Sequence, residues 1–309
     1  MKKMNNASHI EGKLYEADLQ VRESGPNSKK PGTKFIMGTV SVATDDAMTN
    51  IVPVHYTYVT EKTSKNTDDA RWKVLKDIID GKTKTVMRDG ADAAAMVRID
   101  SAIDLNEFYS DRNGTEELVS VKRNEGGFIH LTNQISTDEK LRSTFDCDIV
   151  ITSTRRIEAN EERDLPEKMI VKGAIFNFRN QILPVEFTVL HPGAMNYFEG
   201  LDASNSNPVF TRVKGNQVSQ TVVRKITEES AFGEPSVREV TSSSKDFVIT
   251  WAAKEVYEWD DESTITVAEF KKCIADREVT VADIKKRRDE YVASKSATPA
   301  AATVGGFNF

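Results

Sequence analysis

The chain has 309 residues, 39% of them hydrophobic, which is enough for two domains with cores of their own. No run of about 18 apolar residues is present, so we expect no transmembrane helix, and the segment Met1–Gly12 lacks the apolar stretch of a secretory signal. Two isolated cysteines, Cys147 and Cys273, predict a protein of the reducing cytoplasm without a disulfide framework. The net charge of −6 argues against polyanion binding over the whole surface, but not against a local basic groove.

The first predicted elements are strands that occur twice in the same order. In each copy a strand centred on a glycine precedes an alternating strand with an internal proline: 35–40 and 51–59 in the first copy, 170–175 and 182–190 in the second. Two matched strands in one order indicate a duplicated domain, in which Gly38 corresponds to Gly173. Pro53 then corresponds to Pro184. Because proline cannot donate to a strand ladder, we expect both prolines at a sheet edge, a bulge or a barrel opening.

The remaining elements give the two copies a similar layout. The apolar pattern predicts, in chain order, a helix at Asp68–Ile79, strands at Ala94–Ile103, Glu117–Leu131, Phe210–Val223 and Phe247–Val256, and helices at Val267–Ile274 and Val281–Val292. Thr266 and Thr280 are the expected N-caps of the last two helices.

Composition also suggests where the domains divide. A polar and charged stretch at 136–143 predicts a linker between a first domain, 1–140, and a second domain, 143–293. The segment 294–309, rich in Ser, Ala and Thr, predicts a flexible tail that ends in an aromatic tip.

No catalytic or metal-binding motif stands out. The four histidines do not form i,i+4 pairs and lie apart from both cysteines in the sequence, and the chain has neither a P-loop nor a dinucleotide-binding glycine motif. We therefore predict a protein that is not an enzyme and uses no cofactor or metal. An enzyme whose site is assembled from distant carboxylates remains an alternative.

The first candidate binding surface is the predicted strand 172–179. Strand alternation places Lys172, Phe176 and Phe178 on one face, with Arg179 just beyond it. Aromatic rings stack on bases and cations neutralise phosphates, so this face suits a single-stranded nucleic acid. The alternative is that both phenylalanines belong to the core.

A second candidate cluster combines basic residues with an aromatic residue on the predicted strands of the first copy. Its members are Arg98, Lys122, Arg123 and Phe128. Arg98 interrupts an apolar run and is expected to face outward, although an ordinary solvated face is the alternative. Trp251 lies in a strongly apolar strand and is interpreted as a core residue. The basic run 285–288 on the final helix either faces solvent or extends a phosphate track.

The repeated order of glycine-centred strand, hairpin, helix and two further strands resembles tandem OB-folds, which are five-stranded barrels that bind oligonucleotides. The chain as a whole resembles the two-OB single-stranded DNA-binding proteins of tailed bacteriophages, over 34–59 with 94–131 and over 168–190 with 210–256. The resemblance implies a mainly β fold with a minor α part and two five-stranded barrels. It also implies a protein of the host cytoplasm that coats and protects single-stranded DNA during phage replication or recombination.

The C-terminal tail also resembles those of single-stranded DNA-binding proteins. The resemblance implies that Phe307 and Phe309 dock replication or recombination proteins, although the tip lacks the acidic residues of the bacterial pattern. The main alternative function is a structural or assembly protein of a virion, built from duplicated β-domains.

Overall fold

The computed structural model describes residues 3–26, 28–112, 115–160, 165–228, 236–259 and 264–296, with side chains placed for 3–26, 28–111, 115–160, 165–219, 245–259 and 264–294. The described residues form ten strands: β1 (Asn6–Glu23), β2 (Lys34–Ala43), β3 (Ile51–Thr60), β4 (Met96–Arg112), β5 (Thr115–Thr132), β6 (Ser143–Ile157), β7 (Lys168–Phe176), β8 (Ile182–Val189), β9 (Val209–Glu228) and β10 (Ser236–Ala252). The helices are α1 (Ala70–Ile79), α2 (Val86–Asp89), α3 (Pro192–Gly200) and α4 (Val267–Ser296), with a 3₁₀ turn at Glu139–Leu141. The prediction of a mainly β fold with a smaller helical part is confirmed.

Strand pairing closes two rings of five strands each. In the first ring, β1 pairs with β2 and β4, β2 with β3, β3 with β5, and β5 with β4. The second ring repeats this order with β6 to β10. In both rings the contact between the third and fifth strands is parallel and all others are antiparallel. The duplication predicted from the sequence is therefore present as a repeated strand order.

The rings are joined rather than separated by a loose linker. Asn6–Ile10 of β1 pairs with Ser143–Cys147 of β6. The predicted linker 136–143 packs against the first ring through Arg142, whose Nη1 lies 2.5 Å from Oδ1 of Asp46 and whose carbonyl accepts from the amide of Glu11. The chain passes from one ring to the other between β5 and β6. The division into domains 1–140 and 143–293 stays a prediction.

The long first strand of each ring serves two neighbours because a β-bulge bends it. In β1 the bulge follows Leu14, and in β6 it follows Ile151. Before the bulge the strand pairs with the fourth strand of its ring, and beyond the bulge with the second. An extra residue increases the local twist and turns the strand from one partner to the other.

The residue-level match predicted from the glycines is wrong. The first-strand bulge gives the two rings a common reference point. Ile151 precedes the bulge of β6 and pairs with Gly173, whereas Leu14 precedes the bulge of β1 and pairs with Val42. Gly38 lies four residues earlier in β2. Strands are built from the same few residue types, so two strand sequences can be aligned in several registers. The bulge fixes which of these registers corresponds to the structure.

The two prolines are displaced in the same way. Val52 pairs with Val42 as Val185 pairs with Gly173, so Pro53 follows the equivalent residue and Pro184 precedes it. Both prolines lie in the third strand, outside the short parallel ladder to the fifth strand. A missing amide hydrogen is tolerated there.

A helix follows the third strand in each ring. Asp69 caps α1 by accepting from the amide of Arg71, close to the predicted start. Pro192 opens α3, which the sequence interpretation missed. The last two predicted helices are one helix, α4. Thr266 and Glu269 form its reciprocal N-terminal cap.

Thr280 is not a cap. It lies inside α4, where its hydroxyl donates to the carbonyl of Asp276 one turn earlier. None of the helices in the described part of the chain combines the length and the apolar character that a membrane span requires.

Each ring encloses a core of its own. The first core is formed mainly by aliphatic side chains of β1 to β5 and by Leu75 and Ile78 of α1. The second contains Phe145, Phe187 and Phe247, and it also buries Ile103 from β4 of the first ring. The hairpin formed by β4 and β5 therefore reaches across the second ring, and the two rings form one packed body.

Candidate nucleic-acid interface

The turn between β7 and β8 presents an exposed aromatic side chain next to a cation. Asn177 shapes the turn, since its Oδ1 accepts from the amides of Arg179 and Gln181. Phe178 is 75% exposed, and the guanidinium carbon of Arg179 lies 5.0 Å from the centroid of its ring. An exposed ring with a cation beside it is the arrangement that base stacking and phosphate contact require.

The expectation that Phe176 shares this face is wrong. Strand β7 ends at Phe176, which is fully buried against Phe210 and the first turn of α4. The two phenylalanines therefore do not share a strand face. The alternation holds as far as residue 176, and Phe178 is exposed because it lies in the turn.

Lys172 also lies apart from Phe178. Its Nζ is 2.6 Å from a carboxylate oxygen of Glu186, the residue directly opposite on β8. Cross-strand pairing brings opposite charges together here. The charge of Lys172 is thus partly neutralised within the sheet.

A groove of about 610 Å³ runs between the two rings and α4. The residues of this inter-ring groove that bear on binding are Tyr58, Arg71, Arg123, Phe178, Arg179 and Arg277. The structure therefore brings together three predicted residues from distant parts of the chain, namely Phe178, Arg179 and Arg123. Sequence reasoning missed the other three, because their proximity depends on how the rings pack.

Carboxylates neutralise most of the groove's arginines. Arg123 lies 2.8 Å from Glu125, and Arg277 donates to Glu107. Arg71 donates to Asp69, and this hydrogen bond holds the pKa of the Asp69 carboxyl below its ordinary value. Within the part of the chain that the structure describes, no ion pair engages Arg179. Its charge is the one most available to a ligand in the groove.

The predicted cluster around Lys122 and Arg123 is divided, because neighbours on a strand point to opposite faces. Arg123 faces the groove. Lys122 points the other way, where its Nζ lies 5.3 Å from the ring centroid of Phe187 and 5.1 Å from that of Phe247. Burial lowers the pKa of Lys122 to about 8. It lies over the core of the second ring and is partly buried, so its contact with phosphate stays a prediction.

Phe128 and Arg98 do lie on one exposed face. Phe128 is 60% exposed and pairs in register with Asp100, which lies two residues after Arg98 on β4. The guanidinium of Arg71 lies 5.9 Å from the Phe128 ring centroid. We call the exposed face that carries Phe128 and Arg98 the Phe128 surface. It adjoins the inter-ring groove, because Arg71 also lines that groove.

Trp251 is exposed, and its interpretation as a core residue is wrong. Phe247 and Ile249 point into the second ring, and continued alternation would bury Trp251 as well. The pairing of β9 with β10 shifts between Ile249 and Trp251, and this bulge turns the side chain outward. Trp251 is 47% exposed, with the Nζ of Lys214 5.1 Å from its ring. The bulge leaves no clear signal in the sequence.

Two residues of the basic run on α4 pair with the β4–β5 hairpin, whereas Lys286 and Arg287 are exposed, so an extended phosphate track stays a prediction. Arg288 lies 2.9 Å from Asp111 and Lys285 lies 3.4 Å from Glu116, both near the tip of the β4–β5 hairpin. Phe307 and Phe309 lie outside the described residues, so partner docking by the tip stays a prediction.

Similar proteins are known at the level of structure and of family. The wild-type single-stranded DNA-binding protein from Thermus aquaticus is similar with 9% identity and a TM-score of 0.44, over 84% of this chain and 97% of that one. A deletion mutant of that protein is similar with 9% identity and a TM-score of 0.45, over 85% of this chain and all of the other. No curated protein matches the sequence. The YorF family model matches residues 5–287, and the chain therefore belongs to the YorF family.

Proposed function

We propose that this chain binds single-stranded DNA without sequence preference, coating and protecting it without making or breaking a bond. The observation that carries the proposal is the exposed pair of Phe178 and Arg179 at the inter-ring groove. A phenylalanine ring that stays in water does not gain the free energy of burying its apolar surface. A base that stacks on the ring covers it and stabilises the complex by about 1–3 kcal/mol.

The Phe128 surface supports a path longer than one base. Arg71 links it to the groove, because the same guanidinium lies near the Phe128 ring and lines the groove. Tyr58 adds a third partly exposed ring in the groove. Successive bases that stack on separate rings are bound with little regard to sequence, since every base has a π-face.

The architecture we propose is a pair of OB-like barrels, one for each ring, with domains at 1–140 and 143–293. The helix after the third strand and the closed five-strand order support this assignment. The composition predicts a tail at 294–309, but α4 continues through Ser296, so the tail we propose follows the helix. We place the activity in DNA replication or recombination, with phage DNA as the substrate. Phe307 and Phe309 would recruit partner proteins.

The charges of the groove indicate that stacking dominates over phosphate attraction. Three of its four arginines have carboxylate partners, so few phosphates are neutralised by free cations. We expect a shallow salt dependence, with a slope of log K against log salt of about −0.7 for each phosphate contacted.

Fluorescence anisotropy of labelled oligo(dT) tests the proposal. Phe178→Ala should weaken binding by about 1–3 kcal/mol through loss of one stacked base. Phe108→Ala is the matched control, because Phe108 is 43% exposed and has no cation over its ring in the described part of the chain. A wild-type protein that does not bind oligo(dT) would refute the proposal. Equal affinities of the two variants would show that Phe178 does not stack on a base.

A further inference from the structure

The strand pairings define a residue-by-residue correspondence between the outer faces of the two rings. In the first ring, His9 of β1 pairs with Asp100 of β4, which pairs with Phe128 of β5. His9 lies five residues before Leu14, the residue that precedes the first-strand bulge. These positions are fixed by backbone hydrogen bonding and not by sequence similarity.

The second ring has the same chain of pairings. Asp146 of β6 pairs with Lys214 of β9, which pairs with Trp251 of β10. Asp146 lies five residues before Ile151, which precedes the bulge of β6. Trp251 therefore occupies the position in the second ring that Phe128 occupies in the first.

A second irregularity confirms the correspondence independently. The pairing of β4 with β5 shifts just after Asp100, with the extra residue in β5. The pairing of β9 with β10 shifts just after Lys214, with the extra residue, Thr250, in β10. In both rings the extra residue belongs to the fifth strand, next to the exposed aromatic.

The basic residues of the two faces also correspond. Arg98 lies two residues before Asp100, and Arg212 lies two residues before Lys214. Each arginine approaches a carboxylate on this face, Arg98 at 3.9 Å from Asp100 and Arg212 at 2.7 Å from Asp146. The repeat thus carries an arginine and an exposed aromatic residue at matching positions, although the rings' cores differ.

The face of the second ring is the better suited of the two to an anionic, stacking ligand. The indole of Trp251 offers a larger π-surface than the phenyl ring of Phe128, and the Nζ of Lys214 lies above it. Arg212 and Lys214 share the carboxylate of Asp146, which lies 3.5 Å from Lys214, so these three groups carry one positive charge in excess.

We propose that Trp251, with Arg212 and Lys214, forms a second base-stacking site equivalent to the Phe128 surface. Each ring then holds its own segment of one single strand of DNA. This inference rests on the proposed function and extends it to a second site with defined residues.

Tryptophan fluorescence during titration with oligo(dT) tests the second site directly. A base that stacks on Trp251 quenches it, so we expect quenching in the wild type that is lost in Trp251→Phe, with affinity kept within about threefold because phenylalanine also stacks. Trp259→Phe is the control. Trp259 packs against Phe210 and Phe270 and is partly buried, so this variant should keep the quenching.

Affinity measurements separate this site from the groove. Trp251→Ala should weaken binding of long oligo(dT) about fivefold to 150-fold, as expected for one lost stacked base. The inference is overturned if Trp251→Ala binds as the wild type does while Phe178→Ala weakens, or if Trp251→Phe keeps the quenching. A wild type without any oligo(dT) binding would overturn the proposed function itself. Should Trp251→Ala not fold, the quenching comparison with Trp251→Phe still decides.

Discussion

The two rings share one strand order but fill it with different side chains. Tyr56 is the aromatic residue among the buried members of the first core, which is otherwise aliphatic. The second core packs Phe145, Phe187 and Phe247 against one another, with ring centroids 5.0 to 6.2 Å apart. Strand pairing sets the topology, and different sets of apolar side chains can fill the interior that it encloses.

The outer faces show the opposite relation. The exposed aromatics Phe128 and Trp251 occupy matching positions, and the adjoining bulges match as well. Inside the rings, aromatic residues are one way among several to fill volume. Outside the rings, Phe128 and Trp251 remain about half exposed, so their repetition at matching positions supports the proposed stacking sites. The position of an aromatic residue relative to the bulges is therefore a better guide to a stacking site than the strand in which it lies.

The largest expected effect tests the division between inner and outer phenylalanines. Phe176→Ala removes a fully buried ring and should lower the free energy of unfolding by about 3–5 kcal/mol. Phe178→Ala, two residues away and 75% exposed, should change it by less than about 0.5 kcal/mol. Urea denaturation of both variants measures the difference. Similar losses for the two would mean that the turn is part of the core.

The sequence was sufficient to predict the duplication and the predominance of strands, because both depend on local alternation and on order along the chain. It placed α1 well, since Asp69 and the apolar stripe are local signals. It missed α3, whose Pro192 start lacks a side-chain cap. The faces of Phe176 and Trp251 were wrong because a strand end and a bulge change which side chains face inward.

The inter-ring groove was beyond prediction for a different reason. Arg71, Phe178 and Arg277 meet only because the β4–β5 hairpin crosses the second ring and α4 packs on it. Packing between rings depends on surfaces far apart in sequence, such as Gln217, whose amide lies buried beside Ser8 and Asn124. Patterns within a strand do not report these contacts.

A smaller effect is expected at Lys122, which distinguishes a cation that covers a core from one that faces the groove. Its pKa is about 8 in the folded chain and about 10.5 when unfolded, since burial disfavours the charged form. Between these values the unfolded state holds more protons, so this residue makes stability rise as pH increases from about 8 to 10.5. Below pH 8 the folded protein retains a partly buried charge, whose ammonium donates to the carbonyl of Glu186.

Replacing Lys122 with Met removes that charge and keeps the apolar stem. Lys122→Met should raise the free energy of unfolding at pH 7 by about 1–3 kcal/mol and flatten its rise between pH 8 and 10.5. Chemical denaturation at a series of pH values gives both quantities. Arg123→Met serves as the comparison, since it should leave that pH dependence unchanged. A variant at residue 122 that is less stable than the wild type at pH 7 would show that its contacts with Phe187 and Phe247 outweigh the cost of burial.

The smallest effect concerns Arg98, and it tests whether the first ring's face contacts phosphate as well as bases. Arg98 is exposed and lies 3.9 Å from Asp100, a separation at which a surface ion pair contributes little, so Arg98→Gln should change stability by less than about 0.5 kcal/mol. If the arginine neutralises one phosphate, the slope of log K against log salt for oligo(dT) should become shallower by about 0.7. Anisotropy titrations over a range of salt concentrations measure that slope. Phe128→Ala should instead weaken binding at every salt concentration and leave the slope unchanged, because stacking involves no counterion release. The two variants together thus separate charge from stacking on one face, and an unaltered slope in Arg98→Gln would restrict that face to stacking alone.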